Sequence, residues 1–272
     1  MIKRLPVLYK TEKNLFEEIE LKKPSGSLLA ETQEAVQKNW PIAIRNFVAG
    51  CTNLIISAEQ NITGKQEIKI ALGKMSNKNI EYLAQEIMVD YYGGDDFVEG
   101  VYPCPRCGSK IIAEKKNEDG IEIDTRDRIT DLKVNFMENE SELILDVDFE
   151  EPIVVTENDE PIRNITIGFP TIEDYAEVFN TVGDNNQTRF QFAVFARAIK
   201  KANGVEVDKA WRRSKGVLLF NNSENTVNDI GQITKHLNNY GVDPRLQKIC
   251  KECGKVWQPF IKTLNFFGSA LL

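Results

Sequence analysis

Cys104-Pro105-Arg106-Cys107-Gly108 and Cys250-Lys251-Glu252-Cys253-Gly254 are two copies of one short pattern. In a C-x-x-C-G knuckle two thiolates reach one metal ion, and the glycine permits the tight turn behind them. Two knuckles together supply the four sulfurs of a tetrahedral structural site, so the expected cofactor is structural zinc held by Cys104, Cys107, Cys250 and Cys253. The knuckles are 142 residues apart, whereas a compact ribbon keeps that gap near ~20 residues. A whole structural unit must then be inserted between the two halves of the ribbon. Four sulfurs fill the metal's shell and leave no open position for water, so a catalytic zinc is not expected.

Other sulfur chemistry stays open on the sequence. Rubredoxin-type iron would use a similar ligand set. Disulfides fit poorly, because Cys51 makes the count odd and Met1-Ile2-Lys3-Arg4 does not lead into an apolar signal segment. A thioredoxin-like redox pair would need a knuckle opening a helix in a βαβ setting, and neither does.

Outward from the knuckles, the hydrophobic period changes. Leu132, Val134 and Phe136 alternate with polar residues, as do Leu143, Leu145, Val147 and Phe149. A period of two is that of a strand with one buried face, which points Asp146 and Asp148 to water. Glu138-Asn139-Glu140 is the expected hairpin connection between these strands. Ile162, Ile165, Ile167 and Phe169 suggest a further strand, pairing with residues 153–155 across the polar loop 157–160.

Both flanks read as helical. Ser25-Gly26-Ser27 can start a helix over 28–39, which Trp40-Pro41 interrupts. A second helix is expected to carry Ile44, Phe47, Val48, Cys51, Leu54 and Ile55 on one face, with Cys51 a buried core residue. Ser76 caps a third, with Ile80, Leu83, Ala84, Ile87, Met88 and Tyr91 at helical spacing and Gly93-Gly94 as its stop. After Pro170, helices are expected from Thr171-Ile172-Glu173-Asp174, through Phe190, Val194 and Ala198 into the basic run Arg197, Lys200 and Lys201, and along Val227, Ile230, Ile233, Leu237 and Tyr240. The chain ends on Phe260, Leu264, Phe266, Phe267, Leu271 and Leu272, an apolar tail that must pack inward or dock on another subunit.

The expected fold class is therefore α+β. A mainly helical N-terminal region (1–103) leads to the first half of a zinc ribbon (104–116). An acidic antiparallel β insertion (117–170) and a helical region (171–244) follow, then the second half of the ribbon with the apolar tail (245–272).

The formal charge of −7 conceals an asymmetry. Residues 117–160 contain sixteen acidic and three basic side chains, whereas residues 189–262 contain fourteen basic and six acidic ones. The basic third could face nucleic acid or an acidic protein surface, including the chain's own insertion. No stretch approaches the ~20 apolar residues that span a membrane. Nor does the sequence offer a catalytic constellation. His236 is the single histidine and is expected at the surface without an acidic partner. Leu72-Gly73-Lys74-Met75 has Ile68 where a phosphate loop needs its first glycine, and Met75 where it needs Ser or Thr. No catalytic residue is expected, and the reading is of a protein that is not an enzyme.

The order of a short β-like start, a helical stretch at 43–54, a helix at 80–92 ending in a glycine turn, and Cys104-Pro105-Arg106-Cys107-Gly108 resembles the baseplate hub and tail assembly chaperone proteins of T4-type contractile-tailed phages. Trp257-Gln258-Pro259-Phe260 through Phe266-Phe267-Gly268 is similar to the ending of that family. The likeness is carried best by residues 28–112, and the acidic insertion departs from it. The resemblance implies a structural or assembly role through protein–protein contacts, with other phage tail or baseplate proteins as partners. It also implies residence in the host cytoplasm during assembly or in the virion baseplate. The alternative is a zinc-ribbon protein that binds nucleic acid.

Overall fold

The computed structural model describes residues 1–91, 97–98, 103–109, 115–116, 122–123, 127–128, 132–157, 159–183, 186–221, 227–243, 245 and 248–257. Its first unit starts with strands rather than helices. β1 (Ile2–Lys10), β2 (Leu15–Leu21) and β3 (Thr52–Ser57) form an antiparallel sheet in the order β1-β2-β3. Between β2 and β3 runs α1 (Gly26–Cys51), begun by Ser25, whose Oγ accepts the Leu28 N–H at 3.2 Å. The break expected at Trp40-Pro41 is a kink at Asn39 (φ −156°, ψ 89°). Asn39 Oδ1 accepts the Ile42 N–H at 3.1 Å, so it recaps the second half of the helix and leaves Pro41 in a first turn, where its missing N–H is harmless.

One correction follows from the end of α1. Leu54 and Ile55, expected to continue the helical stripe, lie in β3 instead. Thr52-Asn53-Leu54-Ile55-Ile56 is rich in β-branched side chains, which favour the pleated surface. Residues 1–91 are accordingly helical over more than half their length, as expected, but they open on a three-stranded sheet against which the helices pack.

α2 (Lys65–Lys74) and α3 (Asn77–Tyr91) complete this unit. Leu5, Phe16 and Ile19 of the sheet pack with Phe47 and Val48 of α1 and with Ile80, Leu83 and Ile87 of α3. Asn79 is fully buried among them, but its amide accepts from Val7 N (2.8 Å) and donates to Val7 O (2.7 Å). That pair satisfies a strand residue where β1 leaves its register with β2. The Gly93-Gly94 stop lies outside the described residues.

Short antiparallel pairs follow: β4 (Phe97–Val98) with β7 (Asp127–Arg128), and β5 (Lys115–Lys116) with β6 (Glu122–Ile123). Then β8 (Val134–Asn135) departs from expectation. It does not form a hairpin with the next strand, and Glu138-Asn139-Glu140 is not a hairpin turn. Residues Glu140–Leu143 make a 3-10 turn closed by a capping box, in which Asn139 bonds the Glu142 backbone and Glu142 bonds back.

β9 (Ile144–Ile153) pairs with β10 (Ile162–Gly168), with Val147 opposite Ile165 and Ile153 opposite Ile162. Val147 and Phe149 are buried while Asp146 and Asp148 are exposed, as the alternation predicts. The sheet does not stop at residue 170, however. It continues through β11 (Ile199–Ala202) and β12 (Val205–Glu206), in the order β12-β11-β10-β9.

Three of the remaining helices were expected: α4 (Ile172–Val182), capped by the Thr171–Asp174 box, α5 (Gln187–Ala198) and α8 (Val227–Asn238). The short α6 (Lys209–Arg213) and α7 (Lys215–Asn221) were not. α5 also stops partway through the basic run it was expected to contain, with Arg197 in its last turn. Lys200 and Lys201 lie in β11, and Asn203 (φ +48°) and Gly204 (φ +77°) turn the chain into β12. Two consecutive left-handed residues are the geometry that an Asn-Gly hairpin requires. A second core gathers Val147, Ile165, Ile167, Phe195, Leu219 and Ile233. β13 (Gly241–Val242) then returns to pair with β8, tying the end of the inserted unit to its beginning.

A candidate metal centre

The two knuckles have the same local construction. In the first, the Gly108 N–H donates to Cys104 O and the Cys104 N–H to Ser109 O, both at 2.8 Å. In the second, the Gly254 N–H donates to Cys250 O and the Cys250 N–H to Lys255 O, both at 2.9 Å. Gly108 (φ +73°) and Gly254 (φ +66°) both sit in the left-handed region, where a Cβ would be strained. The glycine of the pattern thus makes the turn that its presence predicted. Around the second knuckle, β14 (Lys248–Ile249) pairs with β15 (Val256–Trp257), with Lys248 opposite Trp257.

These turns bring Cys104, Cys107, Cys250 and Cys253 into one cluster, with all four sulfurs within 4.8 Å of one another. Two cross-knuckle pairs, Cys104 with Cys253 and Cys107 with Cys250, approach to 3.7 and 3.5 Å. Cys104 and Cys250 are buried, Cys253 is half-buried and Cys107 is exposed.

The electrostatics call for a cation. Burial opposes ionisation of Cys104, but the Cys107 and Arg106 backbone N–H groups and then the neighbouring sulfurs outweigh it, bringing the thiol down to about 7. At Cys107 the Ser109 backbone N–H favours the thiolate, yet the sulfurs of Cys250, Cys253 and Cys104 together push it up to about 12. Four sulfurs this close cannot all ionise on their own, and a metal ion at their centre removes that conflict. The residues fit a bound metal.

Cys51 takes no part. It is fully buried in the first core, and burial pushes its thiol up to about 11, with Lys22 opposing weakly. That is an inert core thiol, as its place on the apolar stripe predicted.

His236 needs a correction. It is half-buried, with its ring centroid 5.3 Å from that of Phe169 and 6.1 Å from that of Tyr240. Burial lowers its pKa, while the nearby Glu142 pulls the other way. The acidic neighbour comes from a 3-10 turn ninety-four positions earlier in the chain, and no local sequence signal announces it.

Sequence reasoning also missed a charged centre on α4. Glu177 accepts from Arg197 Nε at 2.8 Å, from Arg213 Nε and Nη2 at 2.8 Å each, and from Lys209 Nζ at 3.0 Å. Arg213, with Lys209 and Arg197 behind it, holds this carboxyl well below the usual range against the opposing effect of burial. The Arg197 guanidinium, whose side chain is only 7% exposed, also donates to Arg212 O at 3.2 Å. Three separate helices converge there, and nothing in their local pattern marks them.

Among the described residues no helix is long and apolar enough to cross a membrane. The apolar tail at 260–272 lies outside the described residues. Comparison with protein-family models, curated proteins and solved structures yields no match.

Proposed function

We propose that this chain is a zinc-stapled structural or assembly protein of a phage tail baseplate, acting through protein–protein contacts rather than catalysis. The observation that carries the reading is the closed four-sulfur cluster. Regular Zn–S bonds of ~2.3 Å give a tetrahedron with edges of roughly 3.8 Å, and the 3.7 and 3.5 Å sulfur pairs are close to that. The thiolate set also suits zinc better than hard cations such as magnesium or calcium. When bound, the metal supplies only a cross-link, because four sulfurs leave no position for a substrate. Cys104 and Cys107 would then be tied to Cys250 and Cys253, closing a loop that contains most of the second core.

Five of the fourteen basic residues at 189–262 are committed to ion pairs within the chain. Arg197, Lys209 and Arg213 converge on Glu177, Lys215 pairs with Asp159 of the acidic insertion, and Arg245 pairs with Asp243. Charge spent on internal partners favours the structural reading over nucleic-acid binding. The assignment to a phage tail rests on the sequence resemblance.

The test starts with metal analysis of the purified chain, for which one zinc per chain is expected and an iron chromophore is not. The chain is then mixed with tail-tube and baseplate proteins and run on a sizing column. A stable complex supports the proposal. Failure to form one, together with a salt-dependent mobility shift of DNA or RNA, would replace it with the nucleic-acid reading.

A further inference from the structure

A cleft of about 660 Å³ opens where the first unit meets the inserted one. The β1–β2 connection lines one part of it, and the start of β9, the end of β10 and β11 line another. Its size is in the range of small-molecule sites. Lys10 and Lys13 at the β1–β2 connection, Lys74 at the end of α2 and Lys200 in β11 contribute four positive charges, against one acidic lining residue, Glu12. On a chain of formal charge −7 this is a local excess of the opposite sign.

Several of the other polar groups in the lining already have partners. Thr11 Oγ1 donates to Asn14 O at 3.2 Å and accepts the Asn14 N–H at 3.0 Å. Thr171 Oγ1 donates to Asp174 Oδ2 at 2.8 Å and accepts the Asp174 N–H at 3.1 Å. Ser76 Oγ accepts the Lys78 N–H at 3.2 Å, and Lys10 pairs with Glu140. Lys13, Lys74 and Lys200, by contrast, enter no ion pair among the described residues.

Lys200 is placed by its neighbour. Gly168 lines the cleft, and a Cβ there would lie 3.0 Å from Lys200 Cε. Because Gly168 has no side chain, the lysine stem can lie across the end of β10. Cε carries the ammonium, so the charge sits at the cleft wall. Lys200 is open to solvent, yet partial desolvation there lowers its pKa; Asp174 opposes that shift and Arg212 adds to it. Ile144, 49% exposed, and Phe169 give the same cleft an apolar part.

We propose that this cleft binds a small organic phosphate, with Lys74 and Lys200 on the phosphoryl oxygens, Lys13 reaching in from the β1–β2 connection, and the organic part against Ile144 and Phe169. Ammonium groups bind phosphate as point charges, and a doubly charged phosphoryl group matches several of them better than a single carboxylate does. None of the four cysteines lines the cleft, so this inference is independent of the metal and assembly readings.

The test follows phenyl phosphate binding to the full-length, methyl-labelled protein by NMR, with inorganic phosphate as the probe that lacks an organic part. Phenyl phosphate should shift the Ile144 methyl resonances saturably and bind about fivefold more tightly than inorganic phosphate, since part of its ring leaves water. Lys74→Gln and Lys200→Gln should each weaken binding about threefold to fivefold, the loss of one solvent-exposed charge contact. Lys69→Gln, on α2 but outside the cleft, should leave it unchanged. Absence of a saturable shift up to about 10 mM phenyl phosphate, where a millimolar site would be mostly filled, would overturn the proposal. Equal losses from Lys69→Gln and Lys200→Gln would overturn it too, because they would mark a diffuse field rather than a site. Uptake of the protein by phosphatidic acid vesicles, with Ile144 unmoved by phenyl phosphate, would replace the soluble ligand with a lipid headgroup.

Discussion

The four-sulfur cluster and the Glu177 cluster solve the same problem in different ways. Each gathers side chains from distant segments onto one point. In the first, Cys104 meets Cys253 across 149 positions. In the second, Glu177 of α4 collects Arg197 from α5 and Lys209 and Arg213 from α6. The four sulfurs could hold a metal ion, and as thiolates they would repel one another without one. The carboxylate brings its own counter-charges and needs none. Metal, chelator and redox conditions should therefore act on one region, and acid on the other.

The largest expected effect is on the sulfurs. Chelation, or Cys104→Ser, should take bound metal from one equivalent to none and abolish amide protection over residues 248–257. Order bought by a structural thiolate site is worth on the order of 10 kcal/mol. Neither main core contains any of the four cysteines, so the helical circular dichroism should largely survive. Undiminished protection at 248–257 after full metal removal would show that the knuckles hold without metal, and the comparison would break.

Glu177→Ala comes next. Removing the carboxylate strands Arg197, which is buried, and loss of one member of a buried pair costs roughly 3–5 kcal/mol. Arg213 and Lys209 are 50% and 66% exposed and add little. Glu177 is itself 19% exposed and Arg197 keeps its bond to Arg212 O, so a smaller cost of about 2–3 kcal/mol is expected from denaturant melts. The pH dependence has a definite sign. A carboxyl with a depressed folded value stabilises the fold fully above its unfolded value of about 4.3, and that stabilisation is lost as pH falls below it. The gap between the unmodified protein and Glu177→Gln should hence be widest near neutrality and shrink below about pH 4. A constant gap down to pH 2 would mean that Glu177 acts by packing rather than by charge.

These two centres were not equally legible in the sequence, for a physical reason. C-x-x-C-G confines its information to five residues, so spacing alone predicted which sulfurs lie together and where the glycine turns fall. Nothing at Glu177 is local. It is an ordinary acidic residue in a helix's first turns, and its partners are ordinary cations in other elements. The strands divide in the same way. Alternation set which side of β9 is buried, because period fixes the face, but it could not name a partner for Val134, which pairs with Val242 rather than with the next strand. The stripe from Ile44 to Ile55 misled because helical spacing runs on past Cys51 by coincidence, into a β-branched segment. Asn203-Gly204 was readable, and the helical spacing of Val194 and Ala198 just before it masked the hairpin.

That turn supplies a third and smaller test. Gly204 sits at φ +77°, with no atom within 4 Å of where a Cβ would be. Gly204→Ala therefore isolates backbone strain from crowding, and should destabilise by roughly 1–2 kcal/mol. Asn203 also anchors the start of β10, accepting from the Arg163 N–H at 2.8 Å and donating to Pro161 O at 3.1 Å. If Gly204→Ala were neutral, the left-handed turn would not be a constraint on β11 and β12.

The smallest effect should come from the ion pairs that tie the acidic segment to β1. Glu138 meets Arg4, and Glu140 meets Lys10. These pairs share the chemistry of Glu177 but not its surroundings, since Glu138 is 69% exposed and Glu140 47%. Water already solvates both charges, so the attraction is screened and long side chains lose freedom in making it. Lys10→Ala and Glu140→Ala should each change stability by no more than about 0.5 kcal/mol, and the double variant should show almost no coupling. The contact between β1 and this segment rests instead on the Met137 N–H, which donates to Pro6 O at 2.8 Å, and on the Met137 side chain, fully buried in the second core. A double-mutant coupling above about 1 kcal/mol for Lys10 and Glu140 would mean that burial is not what separates the strong carboxylate centre from the weak ones.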